Sequence, residues 1–234
     1  MLLVRAADIP EYVQDGVVDC GVTGADLVDE SDVDVDVLLR LGFGACTLEA
    51  AVPAESDVVT LDDLQGARVA TVYPNLTHRL LAERGLEVEL VRVTGAVEVA
   101  PRLGLADAIV DLVSSGSTLR TNGLRSLAAL FSSEAVLIAR RGDERAREMA
   151  TVLRSVVEAR ETRYLMLNAH ESALEDICRI VPGSRSPSIV PLAEPGMVAL
   201  QALVPAADVW RLLPQLEAAG ASSILLVPVE RMLA

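Results

Sequence analysis

The feature that most constrains the fold is the spacing of short apolar runs between Thr47 and Val113. Residues 48–52, 68–72, 88–93 and 108–113 are mostly aliphatic and too short for buried helices, so they predict strands. Helical signals separate them. Thr60-Leu61-Asp62-Asp63-Leu64 reads as a capped short helix, 77–84 as a helix closed by Gly85, and 97–103 as a helix closed by Gly104. Tyr73-Pro74-Asn75-Leu76 reads as a loop. Strands alternating with helices at this spacing predict a parallel α/β layer. Residues 127–130 and 135–139 predict further strands, and 143–160 a charged amphipathic helix.

The two ends of the chain read differently. Residues 2–4 predict a short strand, 8–13 the start of a helix with Asp8 as cap and Pro10 in its first turn, and 17–22 a strand leading into Thr23-Gly24-Ala25-Asp26. In 26–37 acids alternate with valines, which predicts a solvated face or loop because like charges repel. After residue 160 come a strand (164–167), a helix (171–180), two strands (188–190 and 197–204), a helix (207–219) closed by Gly220, and a strand (223–229). This β-α-β-β-α-β order predicts a ferredoxin-like domain, assigned by its pattern to regulation or assembly. Trp210, at an apolar helical position, is expected in its core.

Composition narrows the chemistry. With 234 residues, 51% of them hydrophobic, the chain has core enough for two or three small domains. No apolar run reaches the roughly 18 residues of a membrane span, and Met1-Leu2-Leu3-Val4-Arg5 lacks the plan of a signal peptide, so a cytoplasmic protein is expected. All 20 basic residues are arginine and the net charge is −14. Such a surface repels nucleic acid and membranes and suits a salt-rich cytoplasm, although a GC-rich genome also favours Arg and Asp. No lysine is available for a Schiff base or a phosphate contact. Cys20, Cys46 and Cys178 have no CxxC spacing and read as buried thiols. With only His78 and His170, no histidine-based metal site is expected; His78 reads as a surface or capping residue.

The stretch Asp107-Ala108-Ile109-Val110-Asp111-Leu112-Val113-Ser114-Ser115-Gly116-Ser117-Thr118-Leu119 carries the chemical signal. A strand bearing two acids runs into a turn rich in hydroxyls and free amides, which suits a phosphate. Asp111 is placed at the strand end, where α/β sheets bind ligands, to accept hydrogen bonds from sugar hydroxyls. A Ser/Gly-rich turn that merely caps the next helix has the same composition.

Glu98 followed by Gly104-x-Ala106-Asp107-Ala108-Ile109-x-Asp111-Leu112-Val113-Ser114-Ser115-Gly116-x-Thr118-Leu119 resembles the signature of the ATP phosphoribosyltransferase family. Five further landmarks follow the family's order: Arg5-Ala6-Ala7-Asp8-Ile9, Gly21-Val22-Thr23-Gly24-Ala25-Asp26-Leu27, Leu41-Gly42-Phe43-Gly44, Ala70-Thr71-Val72-Tyr73-Pro74-Asn75-Leu76 and Ser133-Glu134-Ala135-Val136-Leu137. The last domain resembles the regulatory domain of the long form. The resemblance implies two periplasmic-binding-protein-like α/β lobes forming a cleft, lobe I from 1–46 and 135–160 and lobe II from 47–134, plus a ferredoxin-like regulatory domain at 161–234.

The implied reaction transfers 5-phosphoribosyl from PRPP to N1 of ATP with Mg²⁺, releasing pyrophosphate, as the first step of histidine biosynthesis. Implied on the PRPP side are Glu98, Asp111, Ser114, Ser115, Gly116, Ser117 and Thr118. On the nucleotide side are Arg5, Asp26 and Tyr73, with a salt bridge from Arg5 to an acid such as Asp8, a turn cap by Asp26 and a loop anchor at Tyr73 as their structural alternatives. No general base and no protein metal ligand is identified. Histidine is the implied allosteric inhibitor, with the prolines and 184–188 in the loop region concerned, and a homo-oligomer, dimer or hexamer, is implied.

Relative to the family pattern, a strand, a Pro-Asn-Lys-Gly-type turn, a helix and a hairpin are expected ahead of the segment matching 2–9. Either a misplaced start or a truncated paralogue accounts for this, and weak or no transferase activity is expected of these 234 residues. A histidine-sensing regulatory subunit and a non-catalytic solute binder are the rival readings.

Overall fold

Aliphatic residues at alternate positions of 46–53 and 108–113 face both ways and are buried on both sides, which places these strands at the centre of a sheet. The computed structural model describes residues 1–181, 183 and 186–233. They divide into two units, Met1–Ala150 and Thr151–Ala234.

The first unit holds two sheets. Its elements are α1 (Ile9–Gln14), β1 (Cys20–Gly24), α2 (Ala25–Ser31), β2 (Val35–Arg40), β3 (Cys46–Pro53), β4 (Arg68–Thr71), α3 (Pro74–Ala82), β5 (Glu89–Arg92), β6 (Ala108–Val113), α4 (Ser117–Thr121), β7 (Leu124–Ser133), β8 (Ala135–Arg140) and the start of α5 (Glu144–Arg160). The smaller sheet has the order β1-β8-β2, the larger β5-β4-β6-β3-β7. The larger sheet is mixed rather than parallel. Only β4 runs parallel to its neighbours β5 and β6, while β3 pairs antiparallel with β6 and β7.

One face of the larger sheet buries Leu48, Val69, Leu76, Leu81 and Val110, and the other Ala51, Ala70, Val97, Ile109 and Leu119. On β6 the period of two sends Ala108 and Val110 one way and Ile109 and Asp111 the other. The smaller sheet packs Val136 and Ile138 against Val13 and Ala25.

Local readings shift where tertiary partners decide. Residues 2–4 form no strand and are exposed. The chain enters α1 through a 3-10 turn, Ala6–Asp8, and the Asp8 side chain caps nothing. The acid-rich stretch is not a loop but α2 and β2, because its carboxylates find donors elsewhere. Asp29 pairs with Arg79, and Glu30 accepts from the N–H groups of Asn75 and Leu76. Helix α3 begins at Pro74, whose fixed φ suits a first helical position, so the expected loop shrinks to Tyr73. The helix at 97–103 is only a 3-10 turn, Val97–Val99, with Pro101 lacking the N–H to continue it. The three cysteines are free and half-buried rather than buried.

The second unit contains the end of α5, β9 (Thr162–His170), α6 (Leu174–Ile180), β10 (Ser188–Pro191), β11 (Met197–Pro205), α7 (Val209–Ala218) and β12 (Ser222–Pro228). Its antiparallel sheet has the order β10-β11-β9-β12, which is the ferredoxin-like plan. Leu165, Leu167, Leu200, Ile177 and Leu216 form its core. Trp210 is not part of it, being 76% exposed; Leu212 and Leu216 of the same helix take the inward positions instead. Of the loop before β10, Pro182, Ser184 and Arg185 lie outside the described residues.

Candidate active site

The turn after β6 is shaped by Gly116, whose φ of +68° is left-handed and therefore suits glycine. Gly116 is also the N-cap of α4 and offers no side-chain acceptor. The loop hydroxyls instead face each other, Ser115 Oγ lying 3.0 Å from Ser117 Oγ. Arg120 folds back from α4 and donates to the Ser115 carbonyl (3.3 Å). This cation over the loop escapes the sequence reading, although its place one turn past the glycine is a signal.

A cavity of about 200 Å³ opens here, and its walls include Glu98, Asp111, Ser114, Ser115, Gly116, Ser117 and Thr118. Burial pushes the Asp111 carboxyl up, the Leu112 N–H (2.8 Å) pulls it down, and the Glu98 charge raises it again. Glu49 of β3 stands directly opposite Asp111 in the strand register. Asp107 plays no part in this cavity. It takes two hydrogen bonds from the Arg68 guanidinium and one from the Arg68 N–H, which hold its carboxyl below the usual range.

Two of the nucleotide-side residues also converge. Tyr73 is half-buried and anchored by its N–H to Thr71 Oγ1 (3.0 Å). Burial raises its phenol first, and the nearby Asp26 carboxylate raises it further. The Asp111 charge acts in the same direction, so the ring lies within electrostatic reach of the first cavity. Asp26 is 5% exposed and caps no turn; it engages Ser133 instead. Arg5 stands apart. Its side chain is exposed, its carbonyl rather than its guanidinium engages Asp8, and among the described residues it bonds to no other predicted site residue. His78 is exposed on α3.

A second cavity of about 480 Å³ lies where the chain passes between the two sheets, with Arg40, Cys46, Ser114, Ser133 and Glu134 in its walls. It shares Val113 and Ser114 with the first. Glu134 clamps this crossing, pairing with Arg40 (3.0 Å) and accepting from the Gly42 N–H (3.1 Å). Among the described residues no cluster of three or more His, Cys, Asp or Glu could hold a metal ion, and no helix is long and apolar enough to cross a membrane.

Two sheets with an acid- and hydroxyl-lined cavity beside their crossing define a bilobal α/β class, here followed by a ferredoxin-like unit. The solved structure of Tv2483 bound to L-arginine shares this fold, with a TM-score of 0.51 at 18% identity over 64% of each chain. The family model for ATP phosphoribosyltransferase matches residues 5–159, and that for the HisG C-terminal domain matches 159–231. ATP phosphoribosyltransferase of Methanococcoides burtonii is 44% identical over 237 residues, covering 99% of this chain and 84% of its own. That of Halobacterium salinarum is 44% identical over 236 residues, with the same coverage. The solved ATP phosphoribosyl transferase (HisG:HisZ) complex from Thermotoga maritima is similar at a TM-score of 0.58 and 28% identity, over 67% of this chain and 79% of that one. The chain belongs to the ATP phosphoribosyltransferase family, glycosyltransferases of histidine biosynthesis.

Proposed function

We propose that Glu98, Asp111 and the loop Ser114–Thr118 bind PRPP, and that Asp26 and Tyr73 face the ATP whose N1 receives the 5-phosphoribosyl group. The carrying observation is the cavity in which two carboxylates face a hydroxyl-rich turn. Loss of pyrophosphate from C1 leaves an oxocarbenium-like ribose, so the protein's tasks are positioning and charge stabilisation. Asp111, half-buried beside Glu98, gains by accepting the ribose hydroxyls, because a desolvated carboxylate needs donors. The same two negative charges stabilise the positive charge that grows on the sugar. The loop amides and hydroxyls, with Arg120 above them, suit the 5-phosphate. Arg5 belongs to this reading only through the family resemblance.

The polar side chains of the lining, Glu98, Asp111, Ser114, Ser115, Ser117 and Thr118, all present oxygen, which fits Mg²⁺, an ion that keeps much of its water and prefers phosphate oxygens. Brought in with PRPP and held partly by Glu98 or Asp111, it would neutralise charge on the departing pyrophosphate. The two sheets of the first unit correspond to the two lobes of the cleft, and the ferredoxin-like unit to the histidine-responsive domain. A cytoplasmic homo-oligomer, dimer or hexamer, free of nucleic acid and membrane, completes the proposal.

Titration calorimetry tests it. The chain should bind PRPP with Mg²⁺ and, separately, histidine. Asp111→Asn and Arg120→Ala should each weaken PRPP by about tenfold or more, the loss expected for a hydrogen bond to a charged group. Binding of histidine alone, with PRPP ignored, would turn the assignment toward a sensor.

A further inference from the structure

Ser133, which carries no assigned role, is the residue that orients the buried Asp26. Ser133 closes β7 and is 4% exposed, while Asp26 sits in the first turn of α2 at 5%. The serine hydroxyl donates to Asp26 Oδ1 at 2.5 Å and accepts from the Asp26 N–H at 3.0 Å. Among the described residues no ion pair reaches Asp26, so hydroxyl donors are what keep a buried carboxylate satisfied. The seating is built into the backbone. A Cβ on Gly24 would lie 2.3 Å from Asp26 Oδ1 and 3.2 Å from its Cγ, so only glycine leaves room for the carboxylate to fold back. The two partners are 107 residues apart: Ser133 ends a strand of the larger sheet, and Asp26 lies on the helix that follows β1 of the smaller one. Immediately after Ser133, Glu134 clamps Arg40 and Gly42.

We infer that Ser133 is a positioning residue for the nucleotide half of the reaction, setting Asp26 and through it Tyr73, and tying that arrangement to how the two sheets meet. The inference rests on the reading of Asp26 and Tyr73 as nucleotide-side residues. Without the hydroxyl, Asp26 loses a donor to Oδ1 and the acceptor of its own N–H. The Tyr73 hydroxyl, which neighbours that carboxylate, then loses its reference point. The PRPP side is held by other bonds. Neither Glu98, Asp111 nor the 114–118 turn hydrogen-bonds to Ser133 among the described residues. The two substrates should therefore respond differently.

The experiment compares Ser133→Ala, Asp26→Asn and the double variant of the full chain by equilibrium dialysis with ATP and with PRPP. Ser133→Ala should weaken ATP about tenfold, the effect of losing a charge-assisted hydrogen bond, and leave PRPP within about twofold of the parent. The double variant should bind ATP no worse than Asp26→Asn alone, because the serine acts through the aspartate. Ser133→Thr, which keeps the hydroxyl, should restore most of the ATP affinity. Unchanged ATP binding in Ser133→Ala overturns the inference. So does equal loss of ATP and PRPP, which marks a merely structural serine, or full additivity in the double variant. If the parent binds neither ATP nor PRPP, the reading of the site itself fails and takes this inference with it.

Discussion

Asp107 and Asp111, four positions apart on one strand, look equivalent in the sequence and are opposites in the fold. Asp107 lies just before β6, where Arg68 holds its carboxyl low by side-chain and backbone hydrogen bonds. Asp111 lies near the other end, where burial first, and the Glu98 charge against the pull of the Leu112 N–H, leave its carboxyl raised. The signs of their pH dependence follow. A lowered carboxyl stabilises the fold above the ordinary carboxylate range, and that stability is lost as pH falls through the folded pKa. A raised carboxyl makes the folded state hold its proton longer, so stability declines as pH rises from the ordinary range through the folded pKa. Asp107→Asn should therefore melt lower than the parent at pH 7, by about 1–3 °C because the ion pair is exposed, with the gap closing in acid. Asp111→Asn should melt higher at pH 7, with its advantage vanishing below about pH 4. Thermal melts between pH 3 and 7 check both. A lower melting point for Asp111→Asn at pH 7 would mean that its carboxylate is a structural partner rather than one kept for a ligand.

At the scale of elements, α2 and α3 hold each other. Glu30 accepts from the N–H groups of Asn75 (3.2 Å) and Leu76 (2.9 Å), two of the unpaired donors at the start of α3, while the Asn75 amide returns a bond to the Glu30 carbonyl (3.0 Å). A carboxylate there is a cap supplied from another helix and is favoured by the helix dipole. Glu30→Ala should cost about 1 kcal/mol in urea denaturation, with Glu30→Gln recovering part of it. This contact also explains what the sequence conceals. The short strands β3, β4, β5 and β6 are legible because their aliphatic alternation is local, and the Thr60–Asp63 capping box forms as its pattern predicts. In the 26–37 stretch the loop reading fails, while Asp32 and Asp34 are solvated as expected, because the partners that order it, Asn75, Leu76 and Arg79, lie some fifty residues away. The 97–103 segment misleads because the proline at 101 outweighs an apolar pattern. In the site, the turn after Asp111 is legible from residue types alone. The role of Ser133 is not, since it stands in the sequence only as the first residue of a family landmark, and its acceptor lies 107 positions away.

Across the whole molecule, charge is spread unequally. Met1–Ala150 carries 25 acids against 13 arginines, and Thr151–Ala234 carries nine against seven. The first unit thus bears nearly all of the net −14, with ten of its acids before residue 37 and only Arg5 to offset them there. Ion pairs such as Arg79–Asp29 and Arg141–Asp34 relieve a few of these charges, but the excess of acids over arginines leaves a net repulsion, and self-repulsion of this kind weakens a compact state. Salt shortens the Debye length from about 10 Å at 0.1 M to about 3 Å at 1 M, which screens repulsion among exposed carboxylates more than it weakens the few exposed pairs. Raising KCl from 0.1 to 2 M should therefore raise the melting temperature of the 1–150 unit by several degrees and move the 151–234 unit much less. Hydrogen exchange, which follows each unit separately, checks this. A sulfate salt would strengthen hydrophobic burial in both units alike, so a response to KCl confined to the first unit identifies charge screening as its cause. Equal gains in both units under KCl would show that the acidic surface is a matter of composition alone, without a role in adapting the fold to salt.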